Sequence, residues 1–541
     1  AADAAPDCRA LAATLHGQLA ERYDAEHGGF GGAPKFPTPP VLDFLLRFAA
    51  TGAAGGRASE SATDMVLDTL RKMADGGIHD HLGGGFHRYS VDRFWHVPHF
   101  EKMLYDQAQL AALYVDAWKL GGGRQFERTA CGALDYVLRD LRHPDGGFLA
   151  AEDADSLPAP DADHKTEGAF YVWTQQRIDE LLGAQARLFN AAYGVQPDGN
   201  VRPGSDPHGE LNGQNVLARA LDASQLAARA DGDADETERL LGDCRRQLFA
   251  ARECRPRPHL DDKVVTAWNG MMIAALARAG CAFDRGDYIE AAGAAAEFVR
   301  SRLSAGDPSQ PPQLFRAWRD GHGGLTGFPD DYAQMIHGLL ELHMAGGDPQ
   351  WLAWASVLQD AMDERFLAAD GGYRGADGSD PVLPVALRDD HDGVEPTPAS
   401  RTIDNLWRLA ELTGRDELRE QARRIAAAHA EALHNSPAAL PGMLAAMLAA
   451  EPPATQIIFK HGGEPQALRA LQLEAARHYL PRAVVLHADS AAADGVFGPR
   501  AAARLREIAG GGAQAEVHVC SDFRCQLPAR SADELAASLA S

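Results

Sequence analysis

The chain alternates between helical stretches of about 12 to 20 residues and short turns. Within the stretches, apolar residues recur at three- and four-residue spacing, which predicts amphipathic helices. Four turns share a double glycine followed by an aromatic residue, at 28–30, 84–86, 146–148 and 371–373. Two more turns, around 255–260 and 308–314, contain proline and polar residues instead.

The helical stretches come in pairs, in which the first helix is nearly apolar and the second carries more charge. This contrast predicts a buried inner helix and an outer helix with a solvated face. A further helix, near 8–22, precedes the first pair. The predicted pairs are 38–50 with 58–75, 102–120 with 123–140, 213–220 with 233–251, 264–280 with 285–303, 330–346 with 348–367, and 399–413 with 415–435.

Six helical hairpins closed into a ring form an (α/α)6 toroid, so the predicted fold class is mainly α. An open solenoid of helix pairs is the alternative architecture. The tail differs, because strand patterns at 455–462, 482–488 and 515–520 alternate with helical patterns at 464–478 and 498–508. That alternation predicts a small α/β module. We therefore divide the chain into a barrel at 1–450, with an insertion near 149–212, and a module at 451–541.

Composition narrows the possible partners. The 541 residues carry a formal net charge of −24, which opposes binding to a phosphate backbone. Seven scattered cysteines do not form an even disulfide framework, which favours a reducing, cytoplasmic compartment. We interpret Cys520 and Cys525 as two structural thiols, because Cys-x4-Cys is not the Cys-x2-Cys spacing of a zinc ribbon. No apolar run reaches the roughly 20 residues of a membrane helix, so we expect a soluble protein without nucleic-acid or membrane partners.

The inner helices of such a toroid run in the same direction, so their N-termini open on one face, which we call the mouth. The segments leading into them are 31–39, 94–107, 209–215, 259–270, 327–334 and 392–405, and most place charge beside an aromatic residue or proline. Helix capping is the simpler explanation for single aspartates, but it does not explain the pairs. The candidate substrate-binding residues at the mouth are Trp95, Lys102, Tyr105, Asp106, Asp262, Lys263, Trp268, Asn269, Asp330, Tyr332 and Arg401.

The insertion adds further candidates. Asp153 and Asp155 precede an aromatic stretch that contains Tyr171. Carboxylates beside aromatic faces are typical of a sugar-binding surface, because the carboxylates accept hydroxyl hydrogens and the rings stack. A packed β-hairpin is the structural alternative.

Histidines near carboxylates are candidates for acid/base catalysis. We expect His99 or His96 to act with Glu101, Asp331 or Glu395. The two histidines and Glu101 straddle Pro98 rather than sharing a helical face, so we predict no metal site and no cofactor. His337 and His343 lie in an apolar helical pattern, and we interpret them as core histidines.

Long motifs resemble a known family. They are GGFGGAPKFP, GGIHDHLGGGFHRYSVDRFWHVPHFEKMLYDQAQL, AEDADS, EGAFYVWT, DDKVVTAWNGMMIAAL, DDYAQMIHGLLEL, DGVEPTPAS and CSDFRCQLP. In this order they resemble the helical part of the YyaL and spermatogenesis-associated family of thioredoxin-domain-containing proteins. The resemblance implies a six-hairpin glycosidase-like barrel akin to N-acylglucosamine and cellobiose 2-epimerases. It also implies a thioredoxin-like domain upstream in relatives, whose Cys-x-x-Cys motif does not occur in these 541 residues.

Three functions are therefore compatible with the sequence. The first is a sugar epimerase or isomerase that acts on a small sugar-like molecule at the mouth, which the histidines near the mouth favour. The second is an inverting glycoside hydrolase, which needs two carboxyl groups across the scissile bond. The third is a non-catalytic binding or scaffold module of a redox-associated protein.

Overall fold

A computed structural model describes residues 6–53, 55–206, 209–230, 232–306, 311–377, 388–489, 496–512, 514–521 and 524–540. Part of the predicted turn at 308–314, and residues 522 and 523 of the CSDFRCQLP motif, lie outside these ranges. The helices are α1 (Cys8–Arg22), α2 (Pro39–Ala50), α3 (Gly56–Asp75), α4 (Leu104–Ala117), α5 (Gly123–Asp140), α6 (Gln175–Leu182), α7 (Ala186–Ala192), α8 (Ala223–Ala230), α9 (Ala234–Arg252), α10 (Thr266–Ala282), α11 (Gly286–Arg302), α12 (Pro329–Gly346), α13 (Pro349–Phe366), α14 (Pro398–Thr413), α15 (Glu417–Ala428), α16 (Ala430–Asn435), α17 (Pro441–Ala450), α18 (Pro465–Ala476), α19 (Pro499–Ala509) and α20 (Ala532–Ala540).

Short strands connect the helices and a longer sheet lies near the C-terminus. The strands are β1 (Tyr89–Ser90), β2 (Pro98–His99), β3 (Lys102–Met103), β4 (Ala151–Glu152), β5 (Asp155–Ser156), β6 (Thr166–Glu167), β7 (Leu260–Asp261), β8 (Val264–Val265), β9 (Ser304–Ala305), β10 (Gln313–Leu314), β11 (Ala317–Arg319), β12 (His322–Gly323), β13 (Thr455–Lys460), β14 (Ala483–His487), β15 (Glu516–Ser521) and β16 (Arg524–Cys525).

Six helices form an inner ring. In order around the ring they are α2, α4, α10, α12, α14 and α17, and α17 packs back against α2. The outer helices α3, α5, α11, α13 and α15 each pack on the inner helix that precedes them, and α1 packs on α17. The fold is therefore an (α/α)6 toroid with six helical hairpins, as predicted from the sequence. The contact between α2 and α17 excludes the open solenoid.

One predicted hairpin is wrong. Residues 213–220 are extended rather than helical, and α9 packs on α6, α7 and α8 instead of joining the ring. The segment between α5 and α10 therefore forms a separate helical layer, which consists of residues 175–252. The ring still has six members, because α17 supplies the last inner helix and α1 supplies its outer partner. This pair was not predicted, because α1 and α17 lie at opposite ends of the part of the chain that forms the toroid.

The inner helices begin in two ways. Proline occupies the first turn of α2, α12, α14 and α17, where its missing N–H costs no hydrogen bond. The helices α4 and α10 instead follow strands β3 and β8 directly. Strand β3 pairs with β4, which pairs with β7, and β8 pairs with β11. These small sheets hold the loops that lead into the ring at its mouth.

Glycines allow α10 and α12 to pack closely. A Cβ atom on Gly270 would lie 2.4 Å from the carbonyl oxygen of Gln334, and one on Gly338 would lie 2.4 Å from the carbonyl oxygen of Gly270. No side chain fits at such distances. The two backbones can therefore approach one another only because both positions are glycine.

A buried ionic network occupies the axis of the ring. The Oδ1 atom of Asp404 accepts hydrogen bonds from Arg47 Nη1 at 2.6 Å and from Trp407 Nε1 at 3.2 Å. Its Oδ2 atom lies 3.5 Å from one nitrogen each of Arg401 and Arg408. Burial alone would raise the pKa of Asp404, but the three guanidinium groups hold it well below its usual value.

The network extends to two further inner helices. Glu341 of α12 accepts hydrogen bonds from Arg278 and Arg408, each at 2.6 Å. Arg278 of α10 also donates to Asp116 of α4 at 3.2 Å. Charged side chains of α2, α4, α10, α12 and α14 therefore meet at the axis. Because removal of one partner leaves the others buried without compensation, this arrangement favours a single register of the helices.

The C-terminal residues form the predicted α/β module. Its sheet has the order β14-β13-β15-β16, with β13 parallel to β14 and antiparallel to β15. The helices α18 and α20 pack together and against β15, and β14 contacts α12 and α14 of the ring. The module therefore covers the ring at the end opposite the mouth. No helix in the described part of the chain has the length and apolar character needed to cross a lipid bilayer.

The interpretation of the last two cysteines as separate thiols is wrong. Cys520 and Cys525 face each other across the β15–β16 hairpin and are joined by a disulfide. Arg504 of α19 contacts both sulfur atoms. The strand register decides the pairing, and the spacing of the cysteines by itself did not reveal it.

We expect Asp404→Ala to destabilise the protein strongly. The change leaves the buried guanidinium groups of Arg47 and Arg401 without their carboxylate, which costs about 3–5 kcal/mol. Urea unfolding followed by circular dichroism measures the loss. Asp416→Ala is the matched control, because the side chain of Asp416 is 77% exposed. Equal unfolding midpoints for the two variants would contradict the importance of the axial network.

Candidate active site

The mouth is assembled from the N-terminal ends of four inner helices. Tyr105 in the first turn of α4 and Trp268 in the first turn of α10 lie side by side, with ring centroids 5.1 Å apart. The Nε1 atom of Trp268 donates to Glu395 Oε1 at 3.0 Å, just before α14. Gln109 of α4 donates to the carbonyl oxygen of Val394 at 2.9 Å. An aromatic wall and a carboxyl group therefore share one surface.

Glu395 is the carboxyl group at the centre of this surface. Burial raises its pKa to about 7, and the nearby carboxylate of Asp330 adds to the effect. The hydrogen bond from Trp268 and the charge of Arg316 act in the opposite direction. Glu395 is therefore close to half ionised at neutral pH, which suits a group that takes and returns protons.

A second carboxyl group, Asp106, is close enough to Glu395 for the two charges to interact. Asp106 is 3% exposed, and its Oδ2 atom has no hydrogen-bond partner among the described residues. Burial raises the pKa of Asp106 well above its usual value, against the opposing charge of Arg88. Glu395 and Glu101 raise it further by repulsion. These effects favour the protonated form of Asp106, which can donate a proton.

Arg88 and His99 supply positive charge at the edge of the mouth. Arg88 Nη1 donates to Glu101 Oε2 at 2.9 Å, and the same oxygen lies 3.7 Å from His99 Nε2. The Nδ1 atom of His99 is 2.7 Å from Glu167 Oε1. The carboxylates of Glu101 and Glu167 raise the pKa of His99 to about 9. His99 is therefore an imidazolium ion at neutral pH and can act as an acid, not as a base.

The two aspartates at the start of α12, Asp330 and Asp331, have different roles. Asp331 is fully buried, and its carboxylate accepts backbone hydrogen bonds from Ala267 at 3.0 Å and from Phe328 at 2.9 Å. It therefore ties α12 to α10 and caps its own helix. Asp330 forms an ion pair with Arg316 and stays half-buried at the mouth. Burial raises the pKa of Asp331, but backbone hydrogen bonds and Arg316 occupy its carboxylate oxygens, so Asp331 is not free to act on a ligand.

Several predicted site residues have structural partners instead. Lys102 is buried, donates to Asp80 at 2.8 Å and lies over the ring of Tyr171. Asn269 exchanges hydrogen bonds with the backbone of Phe148, at 2.8 and 3.0 Å. The hydroxyl group of Tyr332 accepts from the backbone N–H of residue 314 at 2.9 Å. These side chains fix loops and helices rather than facing the mouth.

Two residues of the histidine-rich loop also lie away from the mouth. Trp95 is fully buried and donates to the carbonyl oxygen of His27 at 3.0 Å. His96 is half-buried in the same loop, and its backbone N–H donates to Asp92 at 3.2 Å. Burial lowers the pKa of His96. Of the two histidines named as catalytic candidates, only His99 is close to the carboxyl groups of the mouth.

The remaining acidic and basic candidates form exposed ion pairs. Asp153 lies 3.7 Å from Lys165, Asp262 lies 2.7 Å from Arg319, and Lys263 lies 3.0 Å from Asp261. Asp155 sits in the β5–β6 hairpin, and burial raises its pKa. This hairpin matches the structural alternative considered for the insertion. The described residues contain no group of three or more His, Cys, Asp or Glu side chains placed to hold a metal ion.

Sequence reasoning missed the polar residues beneath the mouth. A cavity on the ring axis is lined by apolar side chains and by polar ones, which are Asp43, Arg47, Gln109, Asp116, Arg278, His337, Ser400, Arg401 and Asp404. Of these, only Arg401 was predicted as a binding residue. The signal was present in α14, where Arg401, Asp404 and Arg408 recur at three- and four-residue spacing on a helix that is otherwise buried. Arg88 and Arg316 were not among the predicted site residues either, because both lie outside the six segments that were expected to lead into the inner helices.

Comparisons with known proteins identify relatives of this chain. No family model matches the chain. Spermatogenesis-associated protein 20 from Homo sapiens is 38% identical over 538 residues, which cover 96% of this chain and 68% of that protein. The chain belongs to the spermatogenesis-associated protein 20 family. The Mus musculus member is 40% identical over 508 residues, and the matched part covers 63% of its length. A Caenorhabditis elegans relative is 35% identical and is covered over 72% of its length.

Solved structures of other proteins resemble this family member at low sequence identity. Cellobiose 2-epimerase from Bacillus thermoamylovorans is 9% identical with a TM-score of 0.47, over 77% of this chain and 84% of that one. The enzyme of the same name from Spirochaeta thermophila is 14% identical with a TM-score of 0.45, over 82% and 98%. A glycoside hydrolase family 76 mannosidase from Bacteroides thetaiotaomicron is 9% identical with a TM-score of 0.41, over 80% and 99%.

We expect His99 to make this family member's stability depend on pH. The pKa of His99 rises from its usual 6.5 to about 9 on folding. Its ion pairs therefore stabilise the folded state fully below pH 6.5, and that contribution is lost as the pH rises through 9. The difference in melting temperature between the natural protein and His99→Gln should thus be largest near pH 6 and shrink towards pH 9.5. Exposed His164, changed to Gln, is the control; a difference that grows with pH would contradict the assignment.

Proposed function

We propose that the protein is a sugar isomerase or epimerase that works at the mouth. The observation that carries this proposal is the placement of Glu395, a carboxyl group with a pKa of about 7, against the Trp268 and Tyr105 rings. Sugar rings stack on aromatic faces, and proton transfer at carbon needs a base whose pKa is near the working pH. Asp106 supplies a protonated partner beside it.

The chemistry would follow from the charge state of each group. The Glu395 carboxylate takes the proton from C2 of an open-chain sugar, and the C–H electron pair forms the C1–C2 double bond of an enediol. The protonated carboxyl of Asp106 gives its proton to the C1 carbonyl oxygen. When the proton on Glu395 returns to C1 and the O2–H proton passes to Asp106, the product is the ketose isomer. When water or a second acid instead delivers a proton to the opposite face of C2 and the O1–H proton returns to Asp106, the product is the C2 epimer. Arg88 stabilises the negative charge that develops on the oxygens.

The same pair of carboxyl groups supports a second candidate, an inverting glycoside hydrolase. In that reaction one carboxylic acid protonates the leaving oxygen and one carboxylate activates a water molecule. The unequal environments of Asp106 and Glu395 would separate these two roles. By contrast, a scaffold module that only binds a partner would not require a raised pKa in either carboxyl group.

The cytoplasmic location and the thioredoxin-like domain upstream in relatives stay predictions.

Incubation with sugars in heavy water tests the proposal. We would offer D-glucose, D-mannose, D-fructose and cellobiose and record proton NMR spectra over time. Deuterium at C1 of a ketose product, or at C2 of an aldose product, supports the proposal, and glycosidic cleavage of cellobiose supports the hydrolase. Absence of both reactions would favour the scaffold module.

Glu395→Gln should lower the isomerisation rate about 100- to 10,000-fold, because it removes the base while keeping the shape of the side chain. The melting temperature should change little. Glu420→Gln is the matched control, since the Glu420 side chain is 58% exposed on an outer helix. Equal rates for the two variants would remove Glu395 from the mechanism.

The pH dependence gives an independent test. Glu395 must be ionised to act as a base, so the rate should fall about tenfold per pH unit below pH 7 and level off above it. Trp268→Phe removes the hydrogen bond that favours the ionised form of Glu395. The midpoint of the pH profile should therefore move to higher pH in this variant. A midpoint that stays in place or moves to lower pH would contradict the role of the Trp268 hydrogen bond.

A further inference from the structure

We propose that the cavity on the ring axis binds an anionic group of the ligand, a carboxylate or a phosphate, and that Arg401 is the residue that binds it. The inference deepens the proposed function and rests on it for the sugar part of the ligand. In this arrangement the sugar lies against Trp268 and Tyr105, and its charged substituent reaches down into the ring.

The cavity lies directly beneath the mouth. Gln109 lines it and also donates to the carbonyl oxygen of Val394, the residue before Glu395. Pro396 lines it from the other side of Glu395. The mouth and the cavity therefore adjoin each other at Glu395. The cavity measures about 70 Å³, whereas one water molecule needs roughly 10–15 Å³ on the same measure. It can hold a small charged group but not a sugar ring.

Among the charged residues that line the cavity, Arg401 keeps an unused donor. The acidic groups are all paired: Asp43 with Arg47 at 3.1 Å, Asp116 with Arg278 at 3.2 Å, Glu341 with Arg278 and Arg408, and Asp404 with Arg47. Arg401 Nη1 lies 3.5 Å from Asp404 Oδ2, but the buried Nε atom of Arg401 has no hydrogen-bond partner among the described residues. Its side chain is only 14% exposed.

The shape of the Arg401 side chain supports the same assignment. The charged residues that line the cavity are Asp43, Asp116 and Asp404 with Arg47, Arg278 and Arg401, so the two signs are equal in number. A guanidinium group has five N–H donors in a planar fork that matches a carboxylate or a phosphate. An anion would therefore satisfy the buried Nε donor of Arg401.

His337 supplies a second group for the anion. It lines the cavity and is 5% exposed. Its Nδ1 atom lies 3.9 Å from Asp404 Oδ2 and has no hydrogen-bond partner among the described residues. Burial and the charge of Arg401 keep the pKa of His337 well below its usual value, so the ring is neutral. A neutral imidazole carries one N–H group. It can donate that hydrogen bond to an anion held by Arg401 without adding charge to the axis.

Isothermal titration calorimetry with three probes tests this inference. The probes are D-glucuronate, which carries a carboxylate, D-glucose 6-phosphate, which carries a phosphate, and neutral D-glucose. We expect at least one anionic probe to bind the natural protein at least tenfold more tightly than D-glucose. The better of the two anionic probes identifies the group that the cavity accepts.

Arg401→Met should weaken binding of the preferred anionic probe about 10- to 100-fold, as expected for the loss of hydrogen bonds to a charged group. Arg423→Met is the matched control, because Arg423 is 63% exposed on the outer helix α15. Asp404 keeps Arg47, Arg408 and Trp407 when Arg401 is replaced, so the variant should fold. If it does not fold, Arg401→Lys is the second variant, because it keeps the positive charge but loses the planar guanidinium group. Arg401→Lys must weaken binding of the same probe at least fivefold.

The outcomes separate this inference from the proposed function. Equal affinities for the charged and neutral probes, or full affinity in Arg401→Met, would overturn the anion site. Deuterium exchange into a neutral sugar without any preference for the anionic probes would overturn the anion site and leave the isomerase standing. Binding of an anionic probe that depends on Arg401, without exchange into any sugar, would establish the site and overturn the isomerase.

Discussion

The carboxylate of Asp404 and the arginines that surround it are the constraint on which the rest of this toroid depends. Six inner helices around one axis leave a space that this chain fills with charged side chains. Arg47 comes from α2, Glu341 from α12, Arg278 from α10 and Asp404 from α14. A buried charge is tolerated only when its partner is in place. The helices of the ring must therefore adopt one register, which also fixes the positions of their N-termini at the mouth.

The number of donors around each carboxyl group decides what it can do. Asp404 accepts hydrogen bonds from Arg47 and Trp407 and has two further guanidinium groups nearby, so it stays ionised. Glu395 has the single hydrogen bond of Trp268, and burial raises its pKa to about 7. Asp106 has an oxygen without a donor among the described residues, and burial raises its pKa well above the usual value. The toroid thus separates an axis of paired charges from carboxyl groups at the mouth that can exchange protons.

Neighbouring residues in the sequence have opposite roles in the site, and helix geometry explains why. Asp330 and Asp331 are adjacent, yet Asp330 faces the mouth while Asp331 binds the backbone of α10. Trp268 reaches Glu395, whereas Asn269 holds the backbone of Phe148. Consecutive residues of a helix point about 100° apart. The segments that form the mouth could therefore be predicted from the sequence, but the choice of residue within each segment could not.

The sequence by itself determined the helices, most of their pairing and the α/β character of the C-terminal module, because apolar periodicity and prolines are local signals. Only the tertiary structure decided that α1 and α17 complete the ring, that residues 213–220 do not belong to it, and that Cys520 pairs with Cys525. It also decided which charged groups keep free donors, such as Arg401. These properties depend on contacts between residues far apart in the chain, and no local pattern records which partners a side chain will meet.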